Sequence, residues 1–284
     1  MDKVLLVGLG RIGFEGFGPT SAAETHYQTI HDRNDLKLMG GVDSDAKKRA
    51  EFQRVTSYLV WESLNKALAE TSPRFVIVAT PPETHSAVVA EALNCPYVDG
   101  ILCEKPLAPT VKEAKAIVKA CRARGVTLLV GHQRRYERRH RQVRKIIASG
   151  VIGKVLRAEA YIGGGYLNNG THAADTARFL ADEDIPIEIY DGPRCEFQVA
   201  VFGARGFIAI NSYGMLDPGY MNEMYDDLLL STKRGIEPEC SGEDGIKAVE
   251  IAIAAEAKWK ERSGADTVSE GQRVVLSVRR SSGS

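Results

Sequence analysis

The stretch Val4-Leu-Leu-Val-Gly-Leu-Gly-Arg-Ile-Gly13 constrains this chain more than any other. Its first four residues are apolar and strand-forming, as in a strand buried on both faces of a parallel sheet. Glycines follow at positions 8, 10 and 13. In that spacing the first permits a tight turn, the second lets a pyrophosphate approach the backbone, and the third lets a helix pack close to the strand. Phosphates at such a turn meet free N–H groups and the positive end of a helix dipole. Gly8, Gly10, Arg11, Ile12 and Gly13 are therefore candidate dinucleotide contacts. A ligand-free strand-to-helix turn can share the spacing, so the downstream context decides. A second strand-like run, 36–42, leads into Asp43. A carboxylate there accepts hydrogen bonds from the adenosine ribose and repels a 2′-phosphate, which predicts NAD rather than NADP. Lys47, Lys48 and Arg49 lie on the next predicted helix and read as solvated; the alternative is that one of them swings toward a phosphate.

The first half continues as alternating strands and helices. The glycine-rich run 14–19 delays the first helix, which resumes over 22–31; it forms either a loop over the ligand or a plain surface loop. Helices are expected over 46–52 and 63–70, and a strand over 75–79. That strand runs into Thr80-Pro-Pro-Glu-Thr-His85 and a helix to about 93. Prolines directly after a strand fit a loop at the carboxyl edge of a parallel sheet, where ligands bind. Thr80 and Pro81 are thus candidate cofactor contacts. His85 is read either as a third contact or as a packing residue. The next strand, 100–103, ends in Glu104-Lys105-Pro106, followed by a helix over 111–124 and a strand over 126–130. The alternation predicts a doubly wound parallel sheet of the Rossmann kind, over residues 1–130.

Residues 131–284 read as a second, α+β domain for substrate binding and oligomerisation. An arginine-rich helix covers 137–149, with Tyr136, Val143, Ile146 and Ile147 on one apolar line. Arg134 and Arg135 are either part of a solvated basic face or contacts for an anionic group. A strand over 154–162 precedes three glycines, then Asn168, an asparagine suited to capping, and a helix over 171–180. On that helix His172 and Asp175 are three apart and share a face. His172 suits proton exchange near neutrality; it also suits a buried histidine oriented by Asp175. Strands over 194–201, 206–212, 227–232 and 272–278 predict an open, mostly antiparallel sheet. A helix over 242–261 aligns Ile246, Val249, Ile253 and Ala257. Tyr213, Tyr220 and Tyr225 fall in expected loops, where they either line a sugar site or serve packing and surface roles.

Composition narrows the functional classes. Lys plus Arg and Asp plus Glu number 37 each in 284 residues, which gives no electrostatic argument for nucleic acid. No apolar run approaches the ~18–20 residues that span a bilayer. Met1-Asp-Lys leads straight into the first strand, without a signal-peptide pattern. Five scattered cysteines with no C-x-x-C pair predict reduced thiols and a cytoplasmic protein. No spacing of Asp, Glu and His suggests a metal.

The glycine fingerprint, Thr80-Pro81 with His85, Glu104-Lys105-Pro106, and Gly170-Thr-His172-Ala-Ala-Asp175 together resemble the Gfo/Idh/MocA oxidoreductase family. The resemblance implies that Lys105 is catalytic and meets the substrate hydroxyl and the nicotinamide region. It implies that the bond to Pro106 is often cis, that Glu104 belongs to the cofactor site, and that His172 is the general acid/base. Many sugar-oxidising relatives have aspartate four residues before this histidine; here that place is Asn168, which leaves Asp175 or Lys105 to carry more of the proton chemistry. The implied activity is NAD-dependent interconversion of a secondary alcohol and a ketone on a sugar, nucleotide sugar or cyclitol. Glycoside cleavage without net redox change and a non-catalytic, cofactor-binding regulator are the alternatives. A homodimer or homotetramer through the C-terminal sheet is the assembly such relatives suggest.

Overall fold

The computed structural model describes residues 1–16, 24–182, 184–192, 197–211, 216, 218–263 and 275–276. These form two compact units, Met1–Gln133 with Pro218–Gly245, and Arg134–Asp217 with Ile246–Ser284. Residues 218–245 therefore group with the dinucleotide domain, and a single cut at residue 130 does not describe the chain.

In the first unit six parallel strands lie in the order β3-β2-β1-β4-β5-β6: β1 Asp2–Val7, β2 Leu36–Val42, β3 Val60–Trp61, β4 Phe75–Val78, β5 Gly100–Cys103 and β6 Thr127–Val130. Val4, Leu5, Leu6, Ile77, Ile101 and Leu102 have no exposed surface, because a parallel sheet is covered on both faces. The covering helices are α1 His26–His31, α2 Ala46–Thr56, α3 Leu64–Thr71, α4 His85–Ala92 and α5 Val111–Arg124. Strand order reverses between β1 and β4, so a ligand crevice opens at their carboxyl ends.

The run 227–232, expected as a strand, instead lies inside a helix, α8, which follows α6 (Arg138–Ala148) and α7 (Thr171–Ala181) of the second unit in chain order. α8 spans Tyr220–Arg234 and lies against β5 and β6. Tyr220, Met221, Met224, Tyr225, Leu228 and Ser231 are its buried residues, a helical period that overrides the strand-like Leu228-Leu-Leu. Its start is set from far away: the N–H groups of Gly219 and Met221 donate to the Glu24 carboxylate at 2.6 and 3.0 Å. Tyr220 and Tyr225 are thus helical; Tyr213 lies outside the described residues.

The second unit holds a mixed sheet in the order β10-β9-β7-β8-β11: β7 Val155–Ile162, β8 Ile187–Asp191, β9 Gln198–Gly203, β10 Gly206–Asn211 and β11 Val275–Leu276. Only the β7–β8 pair is parallel among these, so the sheet is mostly antiparallel as expected. β3 and β8 are additional to the sequence expectation, while the remainder of 272–278 and part of 194–201 lie outside the described residues. Helix α7, Thr171–Ala181, packs against β7 and β9 and against α6, Arg138–Ala148. Ala173, Ala174 and Ala177 let α7 approach Ala158, Ala160, Val199 and Val201 closely. Trp259, on the long helix α9, Gly242–Ser263, completes that core. No described helix is long and apolar enough to cross a membrane.

Candidate active site

The carboxyl edge of the first sheet gathers most of the predicted site residues. Gly8 has φ +98°, and its N–H donates to the Val42 carbonyl at 2.8 Å. A Cβ on Gly8 would run into the Ala79 carbonyl and the Thr80 nitrogen, so the ends of β1 and β4 meet there only because residue 8 is glycine. Gly13 is buried, and a Cβ on it would strike the Gly8 carbonyl oxygen. It therefore keeps the packing role of the third glycine, although the helix after it is brief. A single π-type turn, Arg11–Glu15, follows, closed by Phe14 N–H to Gly10 O at 2.8 Å and Gly16 N–H to Arg11 O at 2.8 Å. α1 starts only at His26, with Thr25 Oγ1 accepting from Gln28 N–H. Most of the run between lies outside the described residues. Arg11 is exposed and Ile12 half-buried on the turn.

Asp43 stands at the end of β2. One carboxylate oxygen accepts from Leu9 N–H at 2.8 Å and the other from Asp45 N–H at 2.9 Å, which fixes the carboxylate beside the glycine turn. The basic residues after it are not all solvated, as the sequence suggested. Arg49 folds back, donating to the carbonyls of Asp43 and Ser44 at 2.8 and 2.9 Å. Lys48 Nζ lies 3.5 Å from the place a Gly10 Cβ would occupy. Phosphate approach to Gly10 thus has a cation at hand.

At the end of β4, Thr84 Oγ1 donates to the Pro81 carbonyl at 2.7 Å and pairs with Thr80 Oγ1 at 2.7 Å. His85 is fully buried: Nε2 lies 2.9 Å from Thr80 O, and Nδ1 lies 3.1 and 3.2 Å from the carbonyls of Pro106 and Leu107. Both ring nitrogens serve the protein, so His85 pins the Thr80 loop to the Lys105-Pro106 turn rather than meeting a cofactor. The Lys105–Pro106 bond is cis. Glu104 is likewise turned inward. Oε2 accepts from the Lys105 N–H at 3.2 Å, and Oε1 lies 3.1 Å from His26 Nε2. Burial pushes the Glu104 carboxyl up, but the His26 hydrogen bond and charge, with the Lys105 charge, outweigh it and hold it below the ordinary value. His26 Nδ1 is 3.0 Å from the Tyr225 hydroxyl, which burial pushes far above the usual phenol range.

The second unit holds the other predicted residues. His172 lies in the first turn of α7, 5% exposed, with the Phe197 ring edge-on at 6.4 Å between centroids. Arg134 lies over the same Phe197 ring, 3.7 Å from its centroid. Asp175 takes three hydrogen bonds from Arg135, two from Nε at 3.0 Å and one from Nη2 at 2.6 Å. Of the two arginines considered for an anion, Arg135 is therefore held in a buried ion pair. Asn168 is exposed on a π-type turn, Tyr166–Gly170, that runs directly into α7. No side chain caps α7; the Asn169 amide instead donates to the Gly163 carbonyl.

The parallel sheet, its glycine turn at the switch point and the carboxylate ending β2 define a dinucleotide-binding Rossmann domain. Residues 3–132 match the GFO_IDH_MocA model, described as an oxidoreductase family with an NAD-binding Rossmann fold. An oxidoreductase of Schizosaccharomyces pombe is 31% identical over 118 residues, covering 42% of this chain and 31% of its own. Inositol 2-dehydrogenase of Rubrobacter xylanophilus is 28% identical over 196 residues, covering 65% of this chain and 54% of its own. The chain thus spans about a third to a half of the length of these curated relatives. In fold it is similar to the myo-inositol 2-dehydrogenase of Lactobacillus plantarum, at 16% identity and a TM-score of 0.75, covering 98% of this chain and 99% of that one.

His26 is the site-edge residue that sequence reasoning passed over; Tyr225 was considered for a sugar site and Lys48 for a phosphate. Lys48 carried a local signal, as a basic residue just after Asp43.

Proposed function

We propose that the protein is an NAD-dependent oxidoreductase that interconverts a secondary alcohol and a ketone on a sugar, nucleotide sugar or cyclitol. The observation that carries this reading is the setting of Lys105. It follows β5 at the carboxyl edge of the sheet, its own N–H held by Glu104 and the next residues held by His85. With its backbone so fixed at the carboxyl edge of the sheet, Lys105 carries an ammonium suited to hydrogen-bond the oxygen of the reacting carbon. The names of the inositol dehydrogenase relatives support the same substrate class.

Gly8, Gly10 and Gly13 shape the cradle, Asp43 is poised for the adenosine ribose, and Lys48 for a phosphate. Bound NAD would supply hydride transfer. Lys105 orients the hydroxyl, and His172 accepts its proton as the C–H electrons leave, so that a neutral ketone forms. Asp175, neutralised by Arg135, then orients α7 rather than exchanging protons. Asn168 contributes orientation only, since an amide cannot offset an imidazolium charge. A homodimer or homotetramer through the open face of the second sheet accompanies this reading. Phe207 is 62% exposed there, stacked on Phe202, which is the kind of surface that a partner covers.

The test is NADH formation at 340 nm across a panel of cyclitols, free sugars and nucleotide sugars, repeated on Lys105→Ala. Turnover should fall by roughly 10²–10⁴ while NAD affinity stays within a few-fold. Activity within a few-fold of the parent would remove Lys105 from the mechanism.

A further inference from the structure

We infer that Tyr225, His26 and Glu104 form a buried positioning chain that fixes Lys105, an inference that rests on the role given to Lys105 above. The three side chains come from α8, α1 and the end of β5, and are 1%, 0% and 6% exposed. Their bonds run in series: Tyr225 hydroxyl to His26 Nδ1 at 3.0 Å, His26 Nε2 to Glu104 Oε1 at 3.1 Å, and Lys105 N–H to Glu104 Oε2 at 3.2 Å. The proton inventory assigns directions. An ionised carboxylate only accepts, so His26 Nε2 carries hydrogen and donates to Glu104. Its other ring nitrogen, Nδ1, meets the Tyr225 hydroxyl, a group able both to donate and to accept. Hydrogen bonds linked in this way polarise one another in a low-dielectric interior.

Packing alone does not account for this arrangement. Apolar side chains of similar volume would fill the space at no desolvation cost, whereas a buried carboxylate is costly unless fully engaged. Room for the carboxylate is also specific. A Cβ on Gly131 would lie 2.9 Å from Glu104 Oε1, so the neighbouring strand end yields space to this group. The consequence falls on Lys105. Its peptide N–H is held by one oxygen of Glu104, and its ammonium stabilises the same carboxylate. By reciprocity the carboxylate favours the protonated ammonium, the form that donates to a substrate oxygen. Around Glu104 the charged or titratable groups are His26, Lys105, Tyr225 and the Cys103 thiol, which burial and Glu104 both push up.

The experiment uses the full-length protein with ε-¹³C-labelled lysine, the Lys105 signal being assigned by its loss in Lys105→Arg. In Glu104→Gln the Lys105 titration midpoint should fall by about one pH unit or more, because the neighbouring negative charge is gone. In Tyr225→Phe and His26→Ala, hydrogen exchange at the Lys105 amide should accelerate at least tenfold relative to the amides of β1 and β4. Ile117→Ala, in the buried face of α5, serves as the control for general destabilisation and should speed all of these amides together. An unchanged Lys105 midpoint, or exchange at Lys105 that merely follows the Ile117→Ala pattern, overturns the inference. These readouts need no substrate. If they appear while Lys105→Ala retains full turnover, the positioning chain stands and the catalytic assignment of Lys105 is what fails.

Discussion

Substituting Asp175 separates a structural carboxylate from a catalytic one. Its side chain is 1% exposed and that of Arg135 7%, and three hydrogen bonds of 2.6–3.0 Å join them. At an effective dielectric near 20, opposite charges about 4 Å apart attract by roughly 4 kcal/mol. Breaking such a buried pair from one side typically costs about 3–5 kcal/mol, because the remaining charge is stranded. The Phe179 ring, 5.7 Å from the Arg135 guanidinium, is already in contact in the parent and does not replace the lost carboxylate. Asp175→Ala should therefore lower unfolding free energy by about 3 kcal/mol, a large share of the ~5–15 kcal/mol a domain has. Of the two tryptophans, Trp61 lies in the first unit and Trp259 in the core of the second. Urea unfolding followed by Trp259 fluorescence in a Trp61→Phe background reports the right unit. The double variant Arg135→Met/Asp175→Leu should recover to within about 2 kcal/mol of the parent, since no charge is left unpaired. A loss below 1 kcal/mol in Asp175→Ala, or a double variant no more stable than the single, would refute the electrostatic account. If the recovered double variant also turns over normally, Asp175 has no part in proton transfer.

Three further outcomes follow from the geometry. Asp43→Ala should weaken NADH binding about tenfold or more and erase the preference over NADPH, since charged hydrogen bonds contribute roughly 1.5–3 kcal/mol each; calorimetric titration of both cofactors checks it, and parent protein that binds NADPH equally well contradicts it. His172→Ala should lower kcat by about 10²–10⁴ with little change in KM, measured on protein whose circular dichroism matches the parent. Glu137, fully buried, accepts from His140 and Arg139, and these bonds overcome burial to hold its carboxyl well below the ordinary range. Unfolding then takes up a proton as pH falls below about 4.5, so stability present above that value should be lost at up to ~1.4 kcal/mol per pH unit, and Glu137→Gln should flatten that limb in urea titrations.

The parts of this fold legible in the sequence are those written locally. Val4–Val7 and the three glycines specify β1 and its turn, and Asp45, Ser63 and Thr110 each cap the helix they precede. β8 was not read, because five residues, Ile187–Asp191, are a short signal, although Ile187 and Ile189 prove fully buried. α8 was not, because a leucine triplet reads equally as strand or helix and its start is fixed by Glu24, some 195 residues earlier.

The same distinction explains which site residues could be read. Gly8, Asp43 and Lys105 stand at strand ends, where the signal is local to a motif of a few residues. Glu104 sits inside such a motif, and its identity suggested a ligand contact, but its environment decides otherwise. A carboxylate that is buried, bonded to a histidine 78 positions away and to its own neighbour's N–H has little left for a cofactor. That histidine in turn depends on a tyrosine 199 positions away. Nothing in a linear pattern pairs residues 26, 104 and 225; only the return of residues 218–245 to the first unit brings them together. The helix that sequence patterning misassigned as a strand is thus also the element that completes the support beneath Lys105.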